Sequence, residues 1–205
     1  MKFKDLDKDK VFVTSDLHFW HENILKYCNR PFSGITEMND TIIDNINNKV
    51  PEDAILFILG DFAFTGSTNA IRVLTERINA SIVLIYGNHD YQNGICKPTK
   101  SQYFIHTADI LRIMVKDDEV HNEQQEIVLC HYPMIVWHGS HRGVWQLFGH
   151  IHTNNNAEKP PSELGYVSSR ISANQYDVGV DNNNFTPLSY DEVKEIITKQ
   201  NLATL

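Results

Sequence analysis

Ser81-Ile82-Val83-Leu84-Ile85-Tyr86-Gly87-Asn88-His89-Asp90 is the stretch from which the fold can be read. From Ile82 to Tyr86 it is aliphatic, β-branched or aromatic without a break, the composition of a buried strand. Gly87 ends the run, and an amide, an imidazole and a carboxylate follow on what reads as a loop. In a parallel sheet, the loops beyond the carboxyl ends of strands are where sites are built.

Two earlier runs end in the same way. Ala54–Leu59 runs into Gly60-Asp61, and Val11–Thr14 runs into Ser15-Asp16-Leu17-His18. Between them the hydrophobic period changes. Met38, Ile42, Ile46 and Val50 recur every four residues and predict a helix over about Thr36–Lys49, with Thr36 as N-cap and Glu37 in the first turn. Ile71, Leu74 and Ile78 predict another over about Thr68–Asn79. A short helix is expected over Phe19–Tyr27, stopped before Pro31. Strands alternating with helices imply right-handed crossovers and a parallel sheet.

Downstream the pattern changes. Ile110–Val115 and Ile127–Cys130 predict strands flanking the polar hairpin connection Lys116–Glu126. Val144–Phe148 and Tyr176–Val180 predict two more, with a surface loop at Asn154–Pro161. Ser189-Tyr190-Asp191-Glu192 is a capping box opening a last helix with Val193, Ile196 and Ile197 on one face. No repeat or linker divides the chain, so one domain over residues 1–205 is expected.

Composition narrows the classes of function. The formal charge of −8 argues against non-specific wrapping of long nucleic acid, which needs clustered Lys and Arg. Cys28, Cys96 and Cys130 are scattered, without metal-ribbon spacing, and read as reduced core thiols of a cytoplasmic protein. No run approaches transmembrane length, and the start lacks an apolar signal region. No membrane partner is expected.

The polar residues at the strand ends form a set: Asp16, His18, Asp61, Asn88, His89, Asp90, His131, His150 and His152. A spacing of two lets Asp16 and His18 converge, as it does His150 and His152. Oxygen and imidazole donors without thiolate suit Mn, Fe or Zn. The set exceeds the four ligands of one tetrahedral ion and fits two ions sharing a carboxylate. Such a pair clamps the attacking and leaving oxygens at phosphorus and turns a bridging water into a hydroxide nucleophile near neutral pH. Ligand histidines must be neutral, so metal and activity are expected to fade below about pH 6.5.

Asp16-Leu17-His18, Gly60-Asp61, Gly87-Asn88-His89-Asp90, His131 and Gly149-His150-Ile151-His152 resemble, in order, the five blocks of the calcineurin-like metallophosphoesterases. Asp16–Ile24 and Tyr27–Phe32 look like a small bacterial and phage subgroup of that family. The resemblance implies an α/β fold, a four-layer α-β-β-α sandwich of two mixed sheets flanked by helices. It implies that Asp16, His18, Asp61 and His152 hold one ion, and that Asp61, Asn88, His131 and His150 hold the other. Mn²⁺ or Fe²⁺/Fe³⁺ is the expected metal, with Zn²⁺ or Ni²⁺ as substitutes. His89 would protonate the leaving oxygen or stabilise the pentavalent phosphorus, and Asp90 would orient His89.

The expected activity is hydrolysis of a phosphodiester or phosphomonoester, the diester favoured, on a small nucleotide-like substrate. The alternative is a non-catalytic protein-binding scaffold of the same fold. His21 either touches substrate or caps the first helix, and Arg142 is a candidate phosphate contact. Asp181 reads as a structural hydrogen-bonding group. One departure stands out: many members of the family carry a second Asp three residues after the shared one, where this chain has Phe64.

Overall fold

The computed structural model describes residues 3–152 and 170–203; the surface loop expected at Asn154–Pro161 lies outside them. In chain order the described strands are β1 (Leu6–Asp7), β2 (Val11–Thr14), β3 (Ile55–Ile58), β4 (Ser81–Ile85), β5 (His106–Ala108), β6 (Ile110–Lys116), β7 (Gln124–Cys130), β8 (Trp145–Phe148), β9 (Gln175–Asp177) and β10 (Leu188–Ser189). The helices are α1 (Ile24–Tyr27), α2 (Ile35–Lys49), α3 (Thr68–Arg77), α4 (Asn88–Gln92), α5 (Pro98–Ser101) and α6 (Tyr190–Ala203).

Two mixed five-stranded sheets result, ordered β10-β2-β3-β4-β5 and β1-β6-β7-β8-β9. In the first, β2 to β5 are parallel and in step, Val13 beside Phe57 and Phe57 beside Val83, while β10 closes the edge antiparallel. In the second, β6 and β7 form the antiparallel hairpin from Ile110↔Cys130 to Lys116↔Gln124, and β7, β8 and β9 are parallel.

Period-two alternation sorts the apolar residues of the first sheet. Phe12, Leu56, Ile58, Ile82 and Leu84 pack against Met38, Ile42 and Ile46 of α2 and Ile71 and Leu74 of α3. Val11, Val13, Phe57, Val83 and Ile85 point the other way and meet Ile113, Val115, Ile127, Leu129 and Leu147 of the second sheet. Val193 and Ile197 of α6 join that inner layer. A strand buried on both faces reads as a continuous apolar run, as 82–86 does. On the far side of the second sheet, Trp137 and Val144 cover Val128.

The helix starts follow local capping chemistry. Ser67 Oγ accepts the Ala70 amide at 3.2 Å, and the Ser189–Glu192 box closes in both directions at 3.3 and 2.8 Å. α2 starts from Gly34 rather than Thr36, because Glu37 accepts the amide and hydroxyl of Ser33. The helix expected from Phe19 is confined to Ile24–Tyr27. His18 and Trp20 are left-handed, with φ of 52° and 63°, so no helix passes through them. The strand expected over Tyr176–Val180 ends at Asp177, and Val180–Asn182 turns as a 3-10 helix.

Candidate metal centre

Five strands, β2, β3, β4, β7 and β8, deliver side chains from their carboxyl ends to one cluster. Asp61 sits at its middle, its Oδ2 3.6 Å from both His18 Nε2 and His131 Nε2. On one side, Asp16 Oδ1 lies 3.9 Å from His18 Nε2 and 3.8 Å from His152 Nε2. On the other, His131 Nε2 lies 3.3 Å from Asn88 Oδ1, and the His150 ring is 5.0 Å from that of His131. Among the described residues, four trios have donor atoms within 4.8 Å of one another: Asp16/His18/His152, His18/Asp61/His89, Asp61/His131/His150 and, behind His152, Cys28/His152/Asp181.

Holding the side chains this way strains the backbone. Asp16, His18, Asp61, His150 and His152 all have φ between 45° and 72°. A left-handed non-glycine residue costs roughly 1–2 kcal/mol, and such outliers concentrate where a site over-determines the backbone. Two glycines admit the close approach. At Gly60, φ is +93° and a Cβ would fall 2.4 Å from His131 Nδ1. At Gly149 a Cβ would fall 2.2 Å from Asp16 Oδ2.

The charges do not balance within the chain. Burial, then Asp16 and Asp90, push the Asp61 carboxyl up to about 8. Burial lowers His18 well below the usual imidazole value, with Arg30 adding to it; burial also lowers His131 and His89. His18 Nε2, aimed between the two carboxylates, is buried without a hydrogen-bond partner. Imidazole nitrogens facing buried carboxylate oxygens form a donor set that fits divalent cations.

Three histidines are fixed through their other nitrogen. His131 Nδ1 donates to the Leu59 carbonyl at 2.7 Å, which leaves Nε2 facing Asp61. His18 Nδ1 meets His21 Nδ1 at 3.0 Å. His152 Nδ1 meets Asp181 Oδ2 at 2.6 Å. Asp181 in turn takes a forked pair of hydrogen bonds from Arg30, at 2.8 and 2.7 Å. The same guanidinium donates to the carbonyls of Asp16 and Leu17. Burial opposes ionisation of Asp181, yet Arg30 and His152 hold it at about 2. Burial likewise opposes charge on His152, but Asp16 and Asp181 overcome it and raise its pKa. Sequence reasoning missed Arg30, which stands between Asn29 and Pro31 with no local pattern to mark it.

Several expectations need correction. Asn88, His89 and Asp90 form the first turn of α4, not a loop. Asp90 does not reach the His89 ring. Its oxygens accept the amides of Asp61, Phe62 and Gly87 at 2.9, 3.0 and 2.8 Å, because an Asp at the third position of a helix reaches back to the N-cap. It fixes the loop after β3 to the start of α4 and positions His89 only through the backbone. The His21 side chain meets His18, and its carbonyl accepts the Ile24 amide at 3.0 Å at the start of α1, whose N-cap is Asn23. Arg142 is not brought to the cluster; it lines a groove with Gln125, Glu126 and Val144.

The cluster opens into a basin of about 460 Å³ walled by His21, Tyr27, Phe64, His89 and Gln92 beside the donor side chains. No Lys or Arg lines it among the described residues.

Comparison with known proteins agrees with this architecture. The model of the calcineurin-like phosphoesterase family matches residues 9–154. An uncharacterized protein of Methanocaldococcus jannaschii is 31% identical over 191 residues, 93% of this chain and 92% of its own. The crystal structure of an Aquifex aeolicus protein of unknown function superposes with a TM-score of 0.63 at 21% identity, covering 90% of this chain and 97% of that one. That likeness is one of fold.

Proposed function

This chain belongs to the calcineurin-like phosphoesterase family, and from that premise we propose that it is a dinuclear metal-dependent phosphoesterase of small, nucleotide-like phosphate esters, preferring diesters. The observation that carries the reading is the position of Asp61, equidistant at 3.6 Å from His18 and His131, the two histidines that head opposite halves of the cluster. Asp16, His18, Asp61 and His152 would hold one cation. Asp61, Asn88, His131 and His150 would hold the other. The oxygen and imidazole donors suit manganese or iron, with zinc or nickel as substitutes. Three unpaired thiols support work in a reducing compartment, the cytoplasm.

When bound, two divalent cations supply the charge that activates water and steadies the phosphate during in-line displacement. The chain's own groups do the rest. His89 Nε2 stands 4.0 Å from Asp61 Oδ2, so its ring faces the same centre. Burial keeps that ring neutral near pH 7, able to donate its N–H to a phosphate oxygen. An anionic substrate raises the ring's proton affinity, which lets it protonate the leaving oxygen. Asp90 and the α4 turn hold His89 in place, and Asp61 Oδ1 accepts the His89 amide at 3.0 Å.

Manganese-loaded protein is to be assayed on bis(p-nitrophenyl) phosphate and p-nitrophenyl phosphate beside Asp61→Asn and His89→Gln. The reading requires turnover that both variants lose and two metal ions per chain by elemental analysis. Unchanged turnover in both variants would end it.

A further inference from the structure

Phe64 stands three residues after Asp61, and its ring has a defined place. It stacks on His21 with centroids 4.2 Å apart and planes 13° from parallel. Its amide donates to the Phe19 carbonyl at 2.7 Å, so the backbone beneath it is pinned. His21 in turn meets the His18 imidazole. The ring is therefore tied, through two contacts, to the metal cluster.

His21 covers one face of Phe64. The His89 centroid is 5.6 Å from His21 and 5.4 Å from Phe64, nearly equidistant, so His89 stands beside the stack and not over its end. Phe64 remains 42% exposed and Tyr27, edge-on to His21, 64%. The side-chain amides of Asn23 and Gln92 line the same basin. Together these make a flat apolar platform with hydrogen-bonding groups at the rim, and no Lys or Arg lines the basin among the described residues.

We infer that Phe64 is a stacking platform for a heteroaromatic ring carried by the alcohol part of the phosphate ester, which makes nucleoside phosphates the substrate class. This rests on the phosphoesterase reading above. A third ring laid on Phe64 continues the His21–Phe64 stack, and any base can use it because every base has a π face. The ring belongs to the alcohol because the platform adjoins His89, the group that faces the leaving oxygen. Asn23 and Gln92, which line the same basin, offer polar groups to the ring's edge.

Equilibrium binding tests this, with phosphate release followed in the same samples so that only unhydrolysed ligand is counted. Manganese-loaded protein is titrated with adenosine 5′-monophosphate and with ribose 5-phosphate, which differ only by the base. Wild type is expected to bind the nucleotide at least about tenfold more tightly, within the range of base–aromatic stacking. Phe64→Ala and Phe64→Asp should bring the ratio close to one, and Phe64→Trp should keep or raise it. Equal affinities in wild type, or a ratio that survives Phe64→Ala in protein with unchanged thermal unfolding, overturn the platform alone. If neither ligand binds the metal-loaded protein, the phosphoesterase reading fails with it.

Discussion

Asp61 and Asp117 are both buried carboxylates, and the chain treats them in opposite ways. They belong to opposite ends of the molecule: Asp117 follows β6 at Lys116↔Gln124, while His131 follows β7 at the Ile110↔Cys130 end. Asp117 is fully served by its own chain. Tyr190 Oη and Lys194 Nζ donate to Oδ2 at 2.6 Å each, and the Glu119 amide donates to Oδ1 at 3.0 Å. Burial would raise its pKa, but Lys194 and Tyr190 bring it below the usual value. Asp61 receives one amide on Oδ1, faces neutral imidazoles on Oδ2 and is pushed up to about 8. A structural carboxylate finds its countercharge in the sequence. One meant for a ligand is left in deficit, and the strained backbone around it shows the same economy in geometry.

The sharpest break is Asp61→Asn. Loss of the shared carboxylate is expected to lower kcat/KM by at least about a thousandfold, equivalent to several kcal/mol of transition-state stabilisation. Asp117→Asn should leave turnover at 25 °C within about twofold of wild type, since it acts through stability. Steady-state kinetics on the two variants side by side would dissolve the contrast if the losses matched.

A smaller effect is expected from Asp181→Asn, which removes the carboxylate holding His152. Such a change behind a metal-ligating histidine costs roughly 10–100-fold in metal affinity. Calorimetric manganese titration should show one site weakened and the other near its original affinity. Equal weakening of both would detach Asp181 from the Asp16 side of the cluster.

Stability separates the two carboxylates again. Asp117→Asn weakens a charge-assisted hydrogen-bond group and is expected to cost about 1–3 kcal/mol, or about 2–4 °C in Tm for each kcal/mol. Asp61→Asn in metal-free protein is expected to leave Tm unchanged or raise it, because the charge it removes is unfavourable there. Differential scanning calorimetry with chelator reads both.

The pH dependence is the smallest effect and has opposite signs. Asp61 binds its proton more tightly folded than unfolded. Its contribution to metal-free stability is therefore present below about pH 4 and lost as pH rises towards 8. Asp117 is shifted down, so its contribution is present above the usual carboxyl range and lost as pH falls through its folded pKa. Difference curves of wild type against each variant across pH 3–9 should slope in opposite directions. Burial lowers His18 and His131, so both rings are neutral near pH 7, and metal binding is expected to compete with the proton held by Asp61 rather than with protons on these two rings.

The sequence carried the strands and helices around the site because burial on two faces leaves an unbroken apolar run at 55–58 and 82–85, and one-sided burial leaves the four-residue stripe of α2. It did not carry β1, β5 or β10, whose two or three residues pair at sheet edges and are too few to show a period. The strand-end donors were legible because chemistry restricts their residue types. Of their supports, Asp181 was legible as a hydrogen-bonding group but its partner was not: Arg30 lies 151 positions away and meets it only in the fold.

By itself, the amino-acid order determined which elements alternate and which residue types stand at their ends, since periodicity and ligand chemistry are local properties. Tertiary structure alone decided that Asp61 sits between two histidines, that Asp90 serves backbone amides and that Phe64 shields His21. Those outcomes depend on which loops the stacked sheets bring within a few ångströms, and no local pattern encodes that distance.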